Sequence, residues 1–271
     1  MAASFNATTA LSGAFAPLAA YPFTLACWFN AREAASGHGL FGLGNPAGDS
    51  TNYIALRAAG DTAGDPLRYI IADNVGGFAG VNTTTSFQAN AWQHAAVVSA
   101  SPTSHSVYLN GGGKATSATG VNFPSVSKFS VGALDRATLS LFCNGSIAVP
   151  AIWNAALTDA EVAALAAGTH PTLIRPGSLV EAWPLLPHER RQVAGSRRGL
   201  VLNTTSADLH SAADPAAIAA PRPPGVHQLD EASPRAARHG LDWLARVLAA
   251  GPSGPRRVRW YPGLGSARRR R

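Results

Sequence analysis

Between residues 22 and 153, apolar and polar positions alternate in short runs separated by turn residues. In Pro22-Phe23-Thr24-Leu25-Ala26-Cys27-Trp28-Phe29, one face carries Phe23, Leu25, Cys27 and Phe29. The other carries Thr24, Ala26 and Trp28, so the run reads as a strand covered on both faces. Residues 52–57, 67–72, 94–100, 106–110, 128–132 and 146–153 follow the same rule and are rich in Val, Ile, Tyr and Phe. Gly44-Asn45-Pro46, Asp65-Pro66, Gly76-Gly77, Asn110-Gly111-Gly112-Gly113 and Asn144-Gly145 supply bends between them. Many short strands, frequent turns and little helix predict an all-β sandwich or barrel.

Two helices are expected. Thr158 is placed as an N-cap with Glu161 three residues on, Leu157 and Val162 form a hydrophobic staple, and Gly168 ends the run. So short a helix needs the sandwich to pack against. The second begins at Ser233-Pro234 and spaces Ala237, Leu241, Leu244 and Leu248 along one face with Trp243 and Val247 beside them, before Gly251-Pro252. Three partners are open to that face: its own sandwich, a neighbouring subunit, or a membrane surface.

Charge separates the chain into two regions. Residues 1–187 carry a net −2 and residues 188–271 a net +9, within a total of +7. The last sixteen residues hold Arg256, Arg257, Arg259, Arg268, Arg269, Arg270 and Arg271 and no acid. The expected organisation is an N-terminal arm or first strand at 1–21, a sandwich at 22–187, a Pro/Arg-rich linker at 188–232, and an amphipathic helix with a basic tail at 233–271. A tail of that kind suits a polyanion or the acidic face of a protein, with salt-sensitive affinity. Trp260 and Tyr261, beside its arginines, are placed to stack on bases or to anchor the tail. We expect a protein partner ahead of nucleic acid. No apolar run approaches the roughly 20 residues that span a bilayer, so no membrane span is expected.

Candidate chemistry is sparse. Cys27 and Cys143 sit in apolar runs and read as buried thiols. Gly37-His38-Gly39-Leu40-Phe41-Gly42 matches a dinucleotide-binding spacing, but Gly44-Asn45-Pro46 follows where a helix must begin, so the match is accidental. The eight histidines show no metal-ligand spacing, and no Gly-x-Ser-x-Gly elbow is present. Acids in the β region fall mostly in turns, and no strand carries a close carboxylate pair of the kind glycoside hydrolysis uses. The expected catalytic set is therefore none.

Residues 22 to about 186 resemble the laminin-G-like branch of the concanavalin A-like lectin/glucanase superfamily. The resemblance is carried by the 22–29 strand, by Trp92-Gln93-His94-Ala95-Ala96 leading to Tyr108-Leu109-Asn110-Gly111, by Phe129-Ser130-Val131-Gly132, and by Ile152-Trp153-Asn154 with Leu157-Thr158-Asp159-Ala160-Glu161-Val162. It implies a two-sheet antiparallel jelly roll with one short helix, and framework roles for His94 and Trp153. The catalytic Glu-x-Asp-x-x-Glu strand of the glucanase branch is missing from this sequence. Some laminin-G-like domains hold calcium at a rim, for which Asp49, Asp73 and Asp135 are the candidates; no other cofactor is expected. The pieces also resemble domains of tailed-phage structural proteins. The leading expectation is thus a non-enzymatic virion protein, a capsid decoration in an oligomeric assembly. Its attachment would use Leu241, Trp243, Leu244, Leu248 and the terminal arginines to contact capsid proteins. A carbohydrate-binding lectin, secreted or cytoplasmic, is the alternative, with glycans as partners; a glycoside hydrolase comes third.

Overall fold

The computed structural model describes residues 2–14, 16–45, 51–183 and 185, and the backbone of three short strands between 192 and 212. In chain order the strands begin with β1 (Ala2–Asn6), β2 (Leu11–Gly13), β3 (Phe23–Ala31), β4 (Gly37–Gly44), β5 (Tyr53–Ala59), β6 (Pro66–Ala72) and β7 (Phe78–Ser86). Next come β8 (Gln93–Ser101), β9 (Ser104–Leu109), β10 (Gly112–Ser117), β11 (Lys128–Val131), β12 (Leu134–Asp135) and β13 (Leu139–Ser140). After β14 (Asn144–Trp153) follow helix α1 (Asp159–Ala166), β15 (Leu179–Ala182), β16 (Gln192–Ala194), β17 (Val201–Thr204) and β18 (His210–Ala212).

Two antiparallel sheets of eight strands result. The first runs β10-β9-β8-β3-β14-β1-β18, with β15 also on β14; the second runs β16-β17-β2-β11-β4-β5-β6-β7. Phe23, Leu25, Cys27 and Phe29 of β3 all enter the core between them, as their alternation requires. There Phe41 meets Phe129 at 5.7 Å between ring centroids, and Phe129 stacks on Trp183 at 5.1 Å. Cys27 and Cys143 are free and buried; burial pushes the Cys143 thiol up to about 12 and the Cys27 thiol well above its ordinary value. Both are inert packing groups.

Helix α1 closes the outer face of the first sheet. Its capping box is complete: the Thr158 hydroxyl accepts from the Glu161 amide at 3.3 Å, and Glu161 Oε2 accepts from the Thr158 amide at 2.7 Å. Val162 and Leu165 pack with Ala26, Ala96, Val98, Tyr108 and Trp153. The Trp153 indole N–H donates to the Ile174 carbonyl at 2.8 Å. His94 is buried edge-on to Trp28, and burial pulls its pKa down to about 3, so it packs as a neutral ring.

The structure departs from the sequence reading in one place. The 188–232 stretch, expected as a linker, contains β16, β17 and β18, which extend both sheets. Its arginines and prolines suggest a linker, while Val193, Val201 and Leu202 mark short strands within it. The chain also clusters into two units, Met1–Pro221 and Arg222–Arg271. The expected helix with Leu241, Trp243, Leu244 and Leu248, and the seven terminal arginines, belong to the second unit and lie outside the described residues.

Gly37–Gly44, with its accidental nucleotide-binding spacing, is strand β4 in the middle of the second sheet. Leu40, Phe41 and Leu43 face the core, and its glycines serve a close approach from outside. The β12–β13 hairpin lies across the outer face of β4, so a Cβ at Gly39 would sit 2.5 Å from the Ala133 carbonyl carbon and the Leu134 nitrogen. At Gly42 and Gly44 it would run into the backbone of Asp135. Gly39→Ala must therefore push the hairpin off the sheet. We expect a loss of about 1–3 kcal/mol, the usual cost of overpacking, read as a lowered denaturation midpoint with an unchanged denaturant slope.

Candidate functional site

The three acids expected as calcium candidates have separate fates. Asp49 lies outside the described residues. Asp73 is buried at the β6–β7 turn, where its carboxylate is fully used in holding the loop. Its Oδ1 accepts from the amides of Gly77 at 2.7 Å and Val75 at 3.1 Å, and Oδ2 from the amide and side chain of Asn122 at 2.9 and 3.1 Å. Burial raises its pKa, but these donors outweigh burial and hold the carboxyl below its ordinary value. Asp73 is a structural anchor.

Asp135 is the opposite case. It is 1% exposed, and its Oδ1 has no hydrogen-bond partner. The nearest cation is the Lys128 ammonium, 4.0 Å from Oδ1, too long for a hydrogen bond. Burial raises the Asp135 pKa, with Lys128 pulling the other way. Ser12, Gly13 and Ala14 at the end of β2, Lys128 of β11, and Asp135 and Leu139 of the hairpin together line a cleft of about 260 Å³. Each wall follows from the fold. Phe129 and Val131 turn into the core and leave Lys128 on the outer face, Leu11 does the same for Ser12, and the glycines of β4 let the hairpin carry Asp135 down onto the sheet. The result is an acceptor, an ammonium donor and a hydroxyl around one opening, with Leu139 as an apolar wall.

A family model described as the concanavalin A-like lectin/glucanases superfamily, of the laminin G type, matches residues 5–163. The chain belongs to this superfamily. Members of the fold among solved structures include a heptameric SAP-like pentraxin from Limulus polyphemus. It is 15% identical with a TM-score of 0.51, over 63% of this chain and 83% of that one. A protein described as a putative carbohydrate binding protein from Bacteroides ovatus is 17% identical with a TM-score of 0.58, over 80% of this chain and 61% of that one. The CBM40 of a Ruminococcus gnavus IT-sialidase is 13% identical with a TM-score of 0.48, over 61% of this chain and 97% of that one. No curated protein matches the sequence.

Membership in the superfamily raises calcium as a ligand, and the described residues do not fit it. Calcium takes six to eight oxygens, commonly with several carboxylates. The cleft offers one carboxylate with an ammonium beside it, and among the described residues no three His, Cys, Asp or Glu side chains converge on a metal position. A serine–histidine contact that the sequence did not reveal lies elsewhere: Ser99 Oγ is 3.0 Å from His105 Nδ1. It belongs to the core, with Tyr69 Oη 2.8 Å from the same hydroxyl and the Pro102 carbonyl 2.9 Å from His105 Nε2. Both residues are buried, so this superfamily member holds them as a closed packing network.

A carboxyl whose pKa is raised by folding is more stable protonated in the fold, so Asp135 weakens the fold above its folded pKa and that cost fades as pH falls through it. Asp135→Asn should therefore leave the melting temperature at pH 7 equal or higher. The gap from the parent should narrow as the pH is lowered toward 4, measured by differential scanning calorimetry.

Proposed function

We propose that this chain is a non-enzymatic glycan-binding module and that the Asp135 cleft is where it holds sugar. The observation that carries the reading is the cleft that Asp135, Lys128 and Ser12 line, with Asp135 Oδ1 buried in its wall and without a hydrogen-bond partner. A buried acceptor without a donor is costly, and a sugar hydroxyl donating to it, with a second oxygen accepting from Lys128, removes that cost. The carbohydrate-binding description of the Bacteroides ovatus protein supports the ligand class. The single carboxylate lining the cleft supports binding over hydrolysis, since a glycosidase flanks the bond with two. On a neutral-glycan array, parent protein should give signals that Asp135→Asn reduces at least tenfold. The same signals should weaken as pH falls into the range where Asp135 protonates. Equal signals from parent and variant would remove the cleft from the reading.

A second reading concerns location, and the charge division favours it. A sandwich region at −2 and a following region at +9 suit a recognition head tethered to an acidic surface. We propose that the basic region fastens the module to a particle, as in a tailed-phage capsid decoration, with Arg256, Arg257, Arg259, Arg268, Arg269, Arg270 and Arg271 as contacts. In density-gradient fractions of the native source, the chain should travel with large particles at constant stoichiometry. Replacing the seven arginines with glutamine in the full chain should release it. Co-migration unaffected by those replacements would assign attachment to another surface.

A further inference from the structure

Beyond the hairpin, the outer face of the second sheet carries an electrostatic imbalance. Arg57 of β5 lies directly opposite Arg68 of β6, and Arg68 lies opposite Asn82 of β7. Two like charges facing each other across a strand pair oppose folding. Arg57 is answered by Asp61, whose Oδ2 accepts from Nη1 at 2.9 Å. The Arg68 side chain has no ion pair or hydrogen bond among the described residues, and its Nε is buried without a partner. The Arg68 guanidinium is thus left without an acid on this face among the described residues.

An aromatic ring stands beside it. Phe78, Gly80 and Asn82 follow one another on the outward face of β7, and Phe78 is 49% exposed. A Cβ built at Gly80 would lie 3.3 Å from Phe78 Cε1 and 3.5 Å from Arg68 Nη2, so ring and guanidinium overhang the same bare backbone. Ile70, opposite Gly80, continues the apolar floor. The combination is an exposed ring, an uncompensated planar cation, an amide and no side chain between them.

We propose that this shelf binds a carboxylated sugar of an acidic oligosaccharide, its ring on Phe78 and its carboxylate on Arg68 with Asn82 beside it. The proposal rests on the glycan-binding reading and deepens it by naming a second subsite and its ligand class. A guanidinium matches a carboxylate with two parallel N–H donors, which an ammonium cannot do. A flat apolar sugar face needs an exposed ring, and Phe78 supplies one beside the guanidinium, both packed down over Gly80.

The test uses the full chain, with tetragalacturonate and its methyl ester as probes in isothermal titration calorimetry, alongside the neutral-glycan array. The acid should bind and the ester should not. Arg68→Gln and Arg68→Lys should each weaken the acid at least tenfold, as should Phe78→Ala, with melting temperatures and array signals unchanged. Gly80→Ser, which pushes against the Phe78 ring and the Arg68 guanidinium without changing charge, should weaken it as well. Acid binding that Arg68→Gln leaves intact would place it on the arginine-rich C-terminal region and overturn the proposal. Neutral-glycan signals without acid binding would overturn the shelf alone, and no binding of any oligosaccharide would overturn both readings.

Discussion

The outer face of the second sheet depends on one close approach, the β12–β13 hairpin lying with its backbone against the backbone of β4. Side chains on β4 would hold the hairpin away from the sheet; glycines at 39, 42 and 44 let it down. The hairpin then contributes Leu134 to an apolar patch with Tyr53, Ala55, Ile70 and Ala72, and fixes Asp135 in a nearly dry position. It also divides the face. On one flank, toward β2 and β11, lies the Asp135 cleft; on the other, toward β6 and β7, lie Arg68 and Phe78. Arg136, next along from Asp135, reaches back over the Tyr53 ring at 5.5 Å and ties the hairpin to β5.

Electrostatics distinguishes groups that hold the fold from groups that the fold leaves unsatisfied. Asp73 and Asp135 are both buried acids near turns, and their pKa values move in opposite directions. The four donors around Asp73 make its charge part of the structure. Asp135 has a distant ammonium and an unpartnered oxygen, so the fold bears a cost there that packing does not recover. Arg57 and Arg68 repeat the contrast with the opposite sign: one is paired with Asp61, the other is not.

Much of the fold was legible because burial on one face imposes a period of two. The 22–29 run, the 94–100 and 146–153 strands and the capping box at Thr158 all read directly from residue order; the structure places the first two where the alternation requires, while a register shift between Ala148 and Ala151 brings both Ile147 and Ile152 into the core. The strands that escaped lack that signal for physical reasons. In β4 glycines replace the outward residues, in β7 the buried positions are Ala79, Val81 and Thr83, and in β10 large apolar residues are missing altogether. The site was less legible still. Composition could nominate Asp73 and Asp135 equally, because what separates them is the donors that other parts of the chain bring within reach. Lys128 and Ser12 carried no motif, and they become wall residues only because neighbouring Phe129 and Leu11 turn inward.

A glycine strand placed under a hairpin gives a jelly roll a way to vary its outer face without touching its core. The residues facing inward from β4, β5 and β11 are bound by volume, since interiors pack near crystal density. The residues facing outward beside the hairpin are not. Substitutions at 12, 68, 78, 80, 82 and 128 change charge and shape on the face while leaving Phe41, Phe129 and Trp183 undisturbed. The fold itself is shared at 15–17% identity with a pentraxin and a Bacteroides ovatus protein. In this chain Asp135, with an oxygen that no hydrogen-bond donor reaches, and Arg68, with a buried Nε in the same condition, are outward positions that stability alone would not choose.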